Sequence, residues 1–330
     1  MKKFLAGLSA GLLLMITSPP IAVAGESLLM VALGDSIARG YGCQPEEAYG
    51  YRLYADISAL LPAGSFSVEF QNFGTDGDTT ADLLEKLRSD TALMEAVGRA
   101  DILTVSIGGN DLIHQLDSVR SALHPAGGMS FTALLTLLAG IQTAFSDSLA
   151  EETFQSYRAN MDSIFNRLEE LAPEAVLLLT TIPNPSRDET IGPFVERYLC
   201  RYNEHIRNKC GRQDSRLLIA DSSRAFESYT GTEALTFANF DWTNPETISF
   251  DPHPTPMGQA LMAEAHLPLV EPFVRDWVRQ RAATTARPGT TALAEDTGVD
   301  AFPLAVLLLV TCAVLVAGLT CWIRIKRSKR

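Results

Sequence analysis

Cysteine is sparse in this chain, basic residues are scarce over most of its length, and no Cys-x-x-Cys pair occurs among its 330 residues. With five scattered histidines and no paired thiols, the sequence shows no metal-binding pattern and implies no metal or other cofactor. Of 27 lysines and arginines, two stand in the first three residues and five in the last seven. That leaves 20 against 39 acidic residues in between, a formal charge of −19. Such a surface repels phosphate backbones, so nucleic acid is not an expected partner.

Charge is also missing from Phe302–Ile323. At ~1.5 Å per residue such a helix is ~33 Å long, enough to cross a hydrocarbon core of about 30 Å. Acidic Glu295, Asp296 and Asp300 precede it, and the basic tail 324–330 follows. The positive-inside rule then leaves the C-terminus in the cytoplasm and the body outside. At the other end, Lys2 and Lys3, the apolar Phe4–Ile16 and the small Ala22-Val23-Ala24 predict a signal peptide over 1–24. Residues 281–301, rich in Thr, Ala, Gly and Pro, read as a stalk. The chain is thus expected to be exported and held at the outer face of the cell membrane. Leu293–Gly298 followed by an apolar span and a basic tail is similar to a sortase signal, with one residue too many between leucine and glycine. Anchor helix is the main reading; sortase attachment to a cell wall is the second.

Three cysteines, Cys43, Cys200 and Cys210, remain in the exported part. A continuous helix over Phe194–Cys210 would hold Cys200 and Cys210 ~15 Å apart, too far for a disulfide. A bridge there needs the helix to end early, and the pairing stays open.

Residues 25–280 alternate strand candidates (Leu28–Leu33, Ser67–Phe73, Ile102–Ile107, Ala175–Thr181, Arg216–Ala220) with helical patterns (Tyr49–Leu61, Thr80–Leu87, Glu151–Leu171, Phe194–Cys210). Continuous apolar strands between helices predict a three-layer α/β/α sandwich with a central parallel sheet of about five strands. A last helix starts after Pro254, with Thr255 as N-cap, Pro256 as first residue, and Leu261, Ala265, Leu269, Phe273 and Val274 facing the sheet.

The first strand ends abruptly in Gly34-Asp35-Ser36, which delivers a hydroxyl to a helix N-terminus where free N–H groups face incoming negative charge. The second is followed by Gly74-Thr-Asp-Gly77-Asp78-Thr79, the third by Gly108-Gly109-Asn110-Asp111, and Asp251-Pro252-His253-Pro254 lies near the end of the domain. In parallel sheets such blocks converge at the carboxyl ends of the strands.

Serine, glycine, asparagine and histidine in this order resemble the SGNH/GDSL hydrolase superfamily, and the resemblance spans about 27–281. It implies a flavodoxin-like sandwich and an exported serine esterase or lipase-like acyl hydrolase acting on a small-molecule or lipid ester. Ser36 would be the nucleophile and His253 the base. The oxyanion hole would be the Ser36 N–H, the Gly77 N–H and the Asn110 amide. Thr180-Thr-Ile-Pro-Asn-Pro185 is similar to the lipase/acylhydrolase branch. Within 25–280 no Gly-x-Ser-x-Gly elbow occurs, which speaks against the α/β-hydrolase arrangement.

One position departs from the family. The aspartate usually found three residues before the histidine is Phe250 here, and Asp251 stands two before. Flanking prolines favour extended geometry, in which residues i and i+2 share a side, so Asp251 is the third catalytic candidate. The Phe250 carbonyl is the alternative partner for the ring. Phe131 and Leu135, in a helical pattern within 112–147, are candidates for an acyl-chain pocket or for core packing. O-acyl transfer or deacetylation on surface polysaccharide, and non-catalytic binding by the same fold, are the other readings of function.

Overall fold

Seven consecutive residues of β1 (Glu26–Gly34) are buried, and β3 (Ile102–Ser106) and β4 (Val176–Thr180) are buried throughout. Such strands need cover on both faces, and the periodicity of a strand supplies two sets of contacts. Leu29, Val31 and Leu33 meet α3 (Thr80–Ser89), α4 (Thr91–Arg99), α6 (Asp147–Leu171) and α7 (Ile191–Arg207) on one side. Leu28 and Met30 meet α2 (Tyr49–Leu60) and α9 (Pro256–Thr285) on the other. This computed structural model describes residues 26–113, 147–211, 216–244 and 247–285.

The sheet is entirely parallel in the order β2-β1-β3-β4-β5, with β2 at Phe66–Gly74 and β5 at Leu217–Ala220. β2 lies at an edge and has no fully buried residue, as an edge strand allows. The order reverses at β1, whose neighbours are β2 on one side and β3 on the other. That reversal is where an open α/β sheet leaves a crevice beyond its strand ends. Gly34 pairs in register with both Gly74 and Ser106, so the loops after β1, β2 and β3 leave from one level.

All five predicted strands are present. Of the residues expected on the sheet face of α9, Val274 is buried, and Leu261, Leu269 and Phe273 pack against the core at its margin. The buried stripe of the helix is Met262, Ala263, His266, Val270, Val274 and Trp277. The pattern shows it only in part because polar Gln259 and His266 lie on the buried side. The helix also continues to Thr285, past the residue where composition suggests a stalk. α7 ends at Arg207 and passes into a 3-10 turn, and Cys43 and Cys200 are free thiols. Phe131 and Leu135, the predicted signal peptide and Phe302–Ile323 lie outside the described residues. Among the described residues no helix is long and apolar enough to cross a membrane.

His266 is fully buried, stacked on Tyr49 at 5.0 Å. Its Nδ1–H donates to the Met262 carbonyl at 2.7 Å, and Nε2 accepts from the Thr180 hydroxyl at 2.9 Å. Burial pushes its pKa down from 6.5 to about 4. The neutral ring is therefore the folded form, and its contribution is complete above pH 6.5 and lost as pH falls towards 4. His266→Gln removes this titration. By urea unfolding, the stability gap between wild type and variant should shrink by about 3 kcal/mol from pH 7.5 to pH 4. A gap that stays constant contradicts the buried neutral imidazole.

Candidate active site

A glycine is required where β1 ends. Gly34 has φ +141°, and a Cβ there would sit 1.9 Å from the Ser106 carbonyl oxygen. That oxygen accepts the Asp35 N–H at 3.1 Å, which turns the chain onto α1 (Ser36–Arg39). Asp35 caps α1 by accepting the Ile37 N–H at 2.9 Å, and Gly40, in the left-handed region, stops it after one turn. Ser36 is thus the first residue of a capped helix at the sheet's carboxyl edge.

A helix this short has more free carbonyls than it can satisfy itself. Two amide side chains complete it. Asn72, on β2, donates to the Ala38 carbonyl at 2.8 Å, and Gln259, on α9, donates to the Ile37 carbonyl at 3.3 Å while accepting the Tyr49 N–H at 2.9 Å. Gln259 is fully buried and belongs to the helix that begins three residues after His253. It therefore ties the serine's turn to the histidine's.

The His253 Nε2 atom lies 2.9 Å from Ser36 Oγ, and Nδ1 lies 2.5 Å from Asp251 Oδ1. An ionised carboxylate only accepts, so the proton sits on Nδ1 and Nε2 is free to accept from the serine hydroxyl. The same Asp251 oxygen accepts the His253 backbone N–H at 3.1 Å. Two-residue spacing works because the carboxylate folds back over its own turn. Nδ1 faces Asp251, and the Phe250 ring packs edge-on against Phe240 at 5.1 Å. The segment is fastened by antiparallel bridges Thr236–Pro254 and Asn239–Ser249, and by the Phe237 N–H donating to the His253 carbonyl at 2.9 Å. Tyr41 lies over the imidazole, ring centres 4.3 Å apart.

The Gly77 loop is joined to the short helix Gly109–Ile113 that carries Asn110. The Asn110 amide donates one N–H to the Asp78 carbonyl at 2.8 Å, keeping its second for another acceptor. The Thr80 N–H and hydroxyl both donate to the Asp111 carboxylate. Asp78 pairs with Lys86, which also donates to the Thr75 hydroxyl at 2.9 Å. Gly77 has φ +81° and open space where a Cβ would stand. Arg39, at the end of α1, pairs with Asp76 at 2.6 Å, although both are too exposed for the pair to add much stability.

Sequence reasoning misses Tyr41, Gln259 and the state of Asp35. Burial, followed by the charges of Asp111 and Asp78, raises the Asp35 pKa to about 7. A Gln on the apolar side of a helical pattern was the available signal for Gln259; none marked Tyr41.

A sequence profile of the GDSL-like lipase/acylhydrolase family matches residues 32–261. No curated protein sequence matches the chain. Among solved structures, a lipase from a goat rumen metagenome is 19% identical with a TM-score of 0.52, over 73% of this chain and 97% of that one. An extracellular lipase of Streptomyces rimosus is 20% identical with a TM-score of 0.51, over 74% and 99%. Phospholipase A1 of Streptomyces albidoflavus is 20% identical with a TM-score of 0.50, over 76% and 99%. At these identities the likeness establishes a shared fold.

If the Asp251 carboxylate sets the tautomer, Asp251→Asn should lower kcat on a p-nitrophenyl ester more than about a hundredfold, with the far-UV spectrum unchanged. Activity within about tenfold of wild type would leave orientation of the ring to a backbone acceptor.

Proposed function

The chain belongs to the GDSL-like lipase/acylhydrolase family, and on that premise we propose that it hydrolyses carboxylic esters through an acyl-serine intermediate on Ser36. The observation that carries this reading is the continuous line Asp251–His253–Ser36, with contacts of 2.5 and 2.9 Å. His253 Nε2 takes the hydroxyl proton as Ser36 Oγ attacks the ester carbonyl. Asp251 holds the ring and stabilises the imidazolium that forms. Charge gathering on the carbonyl oxygen is met by the Ser36 and Gly77 N–H groups and the second N–H of Asn110. The tetrahedral species collapses, the C–O bond to the alcohol breaks, and the imidazolium returns its proton to the departing oxygen. Water, deprotonated by the same imidazole, then attacks the acyl-serine and releases the acid.

The exported, surface-anchored location is part of the proposal and rests on Lys2–Ala24 and Phe302–Arg330 of the sequence. Mass spectrometry of the mature C-terminus checks it: an intact basic tail fits the anchor, and an end within 293–298 fits sortase cleavage.

Ser36→Ala should lose about 10⁴-fold or more in kcat on p-nitrophenyl esters and all labelling by a fluorophosphonate, with thermal unfolding unchanged. Substantial turnover or labelling of the variant would remove Ser36 as nucleophile.

A further inference from the structure

Tyr41 is 42% exposed, yet its ring lies over the His253 imidazole, with centres 4.3 Å apart and planes tilted by 36°. A side chain that open gains little from burial, so packing alone does not account for where it is held. The turn that carries it is fastened at both ends. Gly40 and Gly42, on either side of it, have φ of +82° and +78°. The Tyr41 N–H donates to the Ser36 carbonyl at 2.9 Å. A Cβ at Gly42 would stand 2.7 Å from the ring of Phe237, whose backbone N–H donates to the His253 carbonyl. The Cys43 thiol donates to the Pro254 carbonyl at 3.5 Å. The turn is thus held to the nucleophile's own carbonyl on one side and to the histidine's segment on the other.

Charge decides what the ring does there. The imidazole is neutral while it accepts from the Ser36 hydroxyl, and becomes an imidazolium when it has taken the proton. The face of an aromatic ring carries negative potential, so it attracts a cation far more than a neutral imidazole. That attraction grows as the transition state forms, which is the condition for an interaction to raise kcat rather than lower KM. We propose that Tyr41 is a positioning residue for the base, its ring face stabilising the His253 imidazolium that forms as Ser36 attacks the ester. The proposal rests on the ester-hydrolase reading and deepens it.

The charged groups around the pair leave this effect in place. Asp251 faces Nδ1 and carries the charge opposite to the imidazolium. Arg39 is a second cation near the Tyr41 ring, 5.8 Å from its centre, and is paired with Asp76 at 2.6 Å. Burial raises the pKa of the Cys43 thiol, which keeps it uncharged at neutral pH. His266, stacked on Tyr49 at 5.0 Å, is the contrast. Its partners are the Met262 carbonyl and the Thr180 hydroxyl, and its burial keeps the ring neutral. At His253 the ring face and a carboxylate act together on a site that solvent reaches.

The test uses the detergent-solubilised full-length protein with p-nitrophenyl acetate. Tyr41→Leu and Tyr41→Phe are compared with chains carrying, at position 41, phenylalanine with one, two or three ring fluorines, introduced by stop-codon suppression. Fluorine withdraws negative potential from the ring face with little change in shape. Expected are a fall of about fivefold or more in kcat for Tyr41→Leu with KM within about twofold, and rescue to within about twofold by Tyr41→Phe. Each added fluorine should lower kcat further. A flat fluorine series, a loss carried by KM, full activity in Tyr41→Leu, or an equal loss in Tyr41→Phe would overturn the role. The fluorinated rings are nearly isosteric with phenylalanine, so that series remains a test even where Tyr41→Leu fails to fold. Absence of turnover in the wild-type protein would instead remove the ester-hydrolase reading beneath it.

Discussion

Only a hydrogen fits at position 34. The backbone of β1 passes so close to β3 that a methyl group there would overlap the Ser106 carbonyl. That approach lets Ser106 hold Asp35, lets Asp35 cap a one-turn helix, and sets Ser36 at the sheet edge. The serine's position is thus a consequence of strand packing, transmitted through two hydrogen bonds. The partners come from other elements: Asn72 on β2 and Gln259 on α9 complete the turn.

The same compactness buries ionisable groups whose titrations oppose each other. Asp35, raised to about 7 chiefly by burial, favours its protonated form in the fold and weakens stability as pH rises towards 7. His266, lowered to about 4, acts in the opposite sense over an overlapping range. The two groups thus contribute to the pH dependence of stability with opposite signs.

The strands are legible because a parallel strand covered on both faces is a mostly apolar run: Leu28–Leu33 is unbroken, and Ile102–Ile107 is interrupted only by the buried hydroxyls Thr104 and Ser106. The serine, glycine and asparagine blocks were legible because each follows a strand. α4 is hard to see in the sequence, since Asp90 ends one helix and caps the next with no loop between them. The stripe of α9 is only partly legible because Gln259 and His266 are polar by identity yet buried by their hydrogen bonds. Tyr41 meets His253 only through tertiary contact across 212 positions, which no local pattern encodes.

The account's central claim is that one serine hydroxyl carries the acyl group. Rapid mixing with a p-nitrophenyl ester, acid quenching and peptide mass spectrometry test it directly. The account predicts about one equivalent of acyl group per chain, on the peptide containing Ser36, formed during the p-nitrophenol burst and lost at the steady-state rate. An acyl group on any other residue, or turnover with Ser36 never modified where a burst is observed, would contradict it.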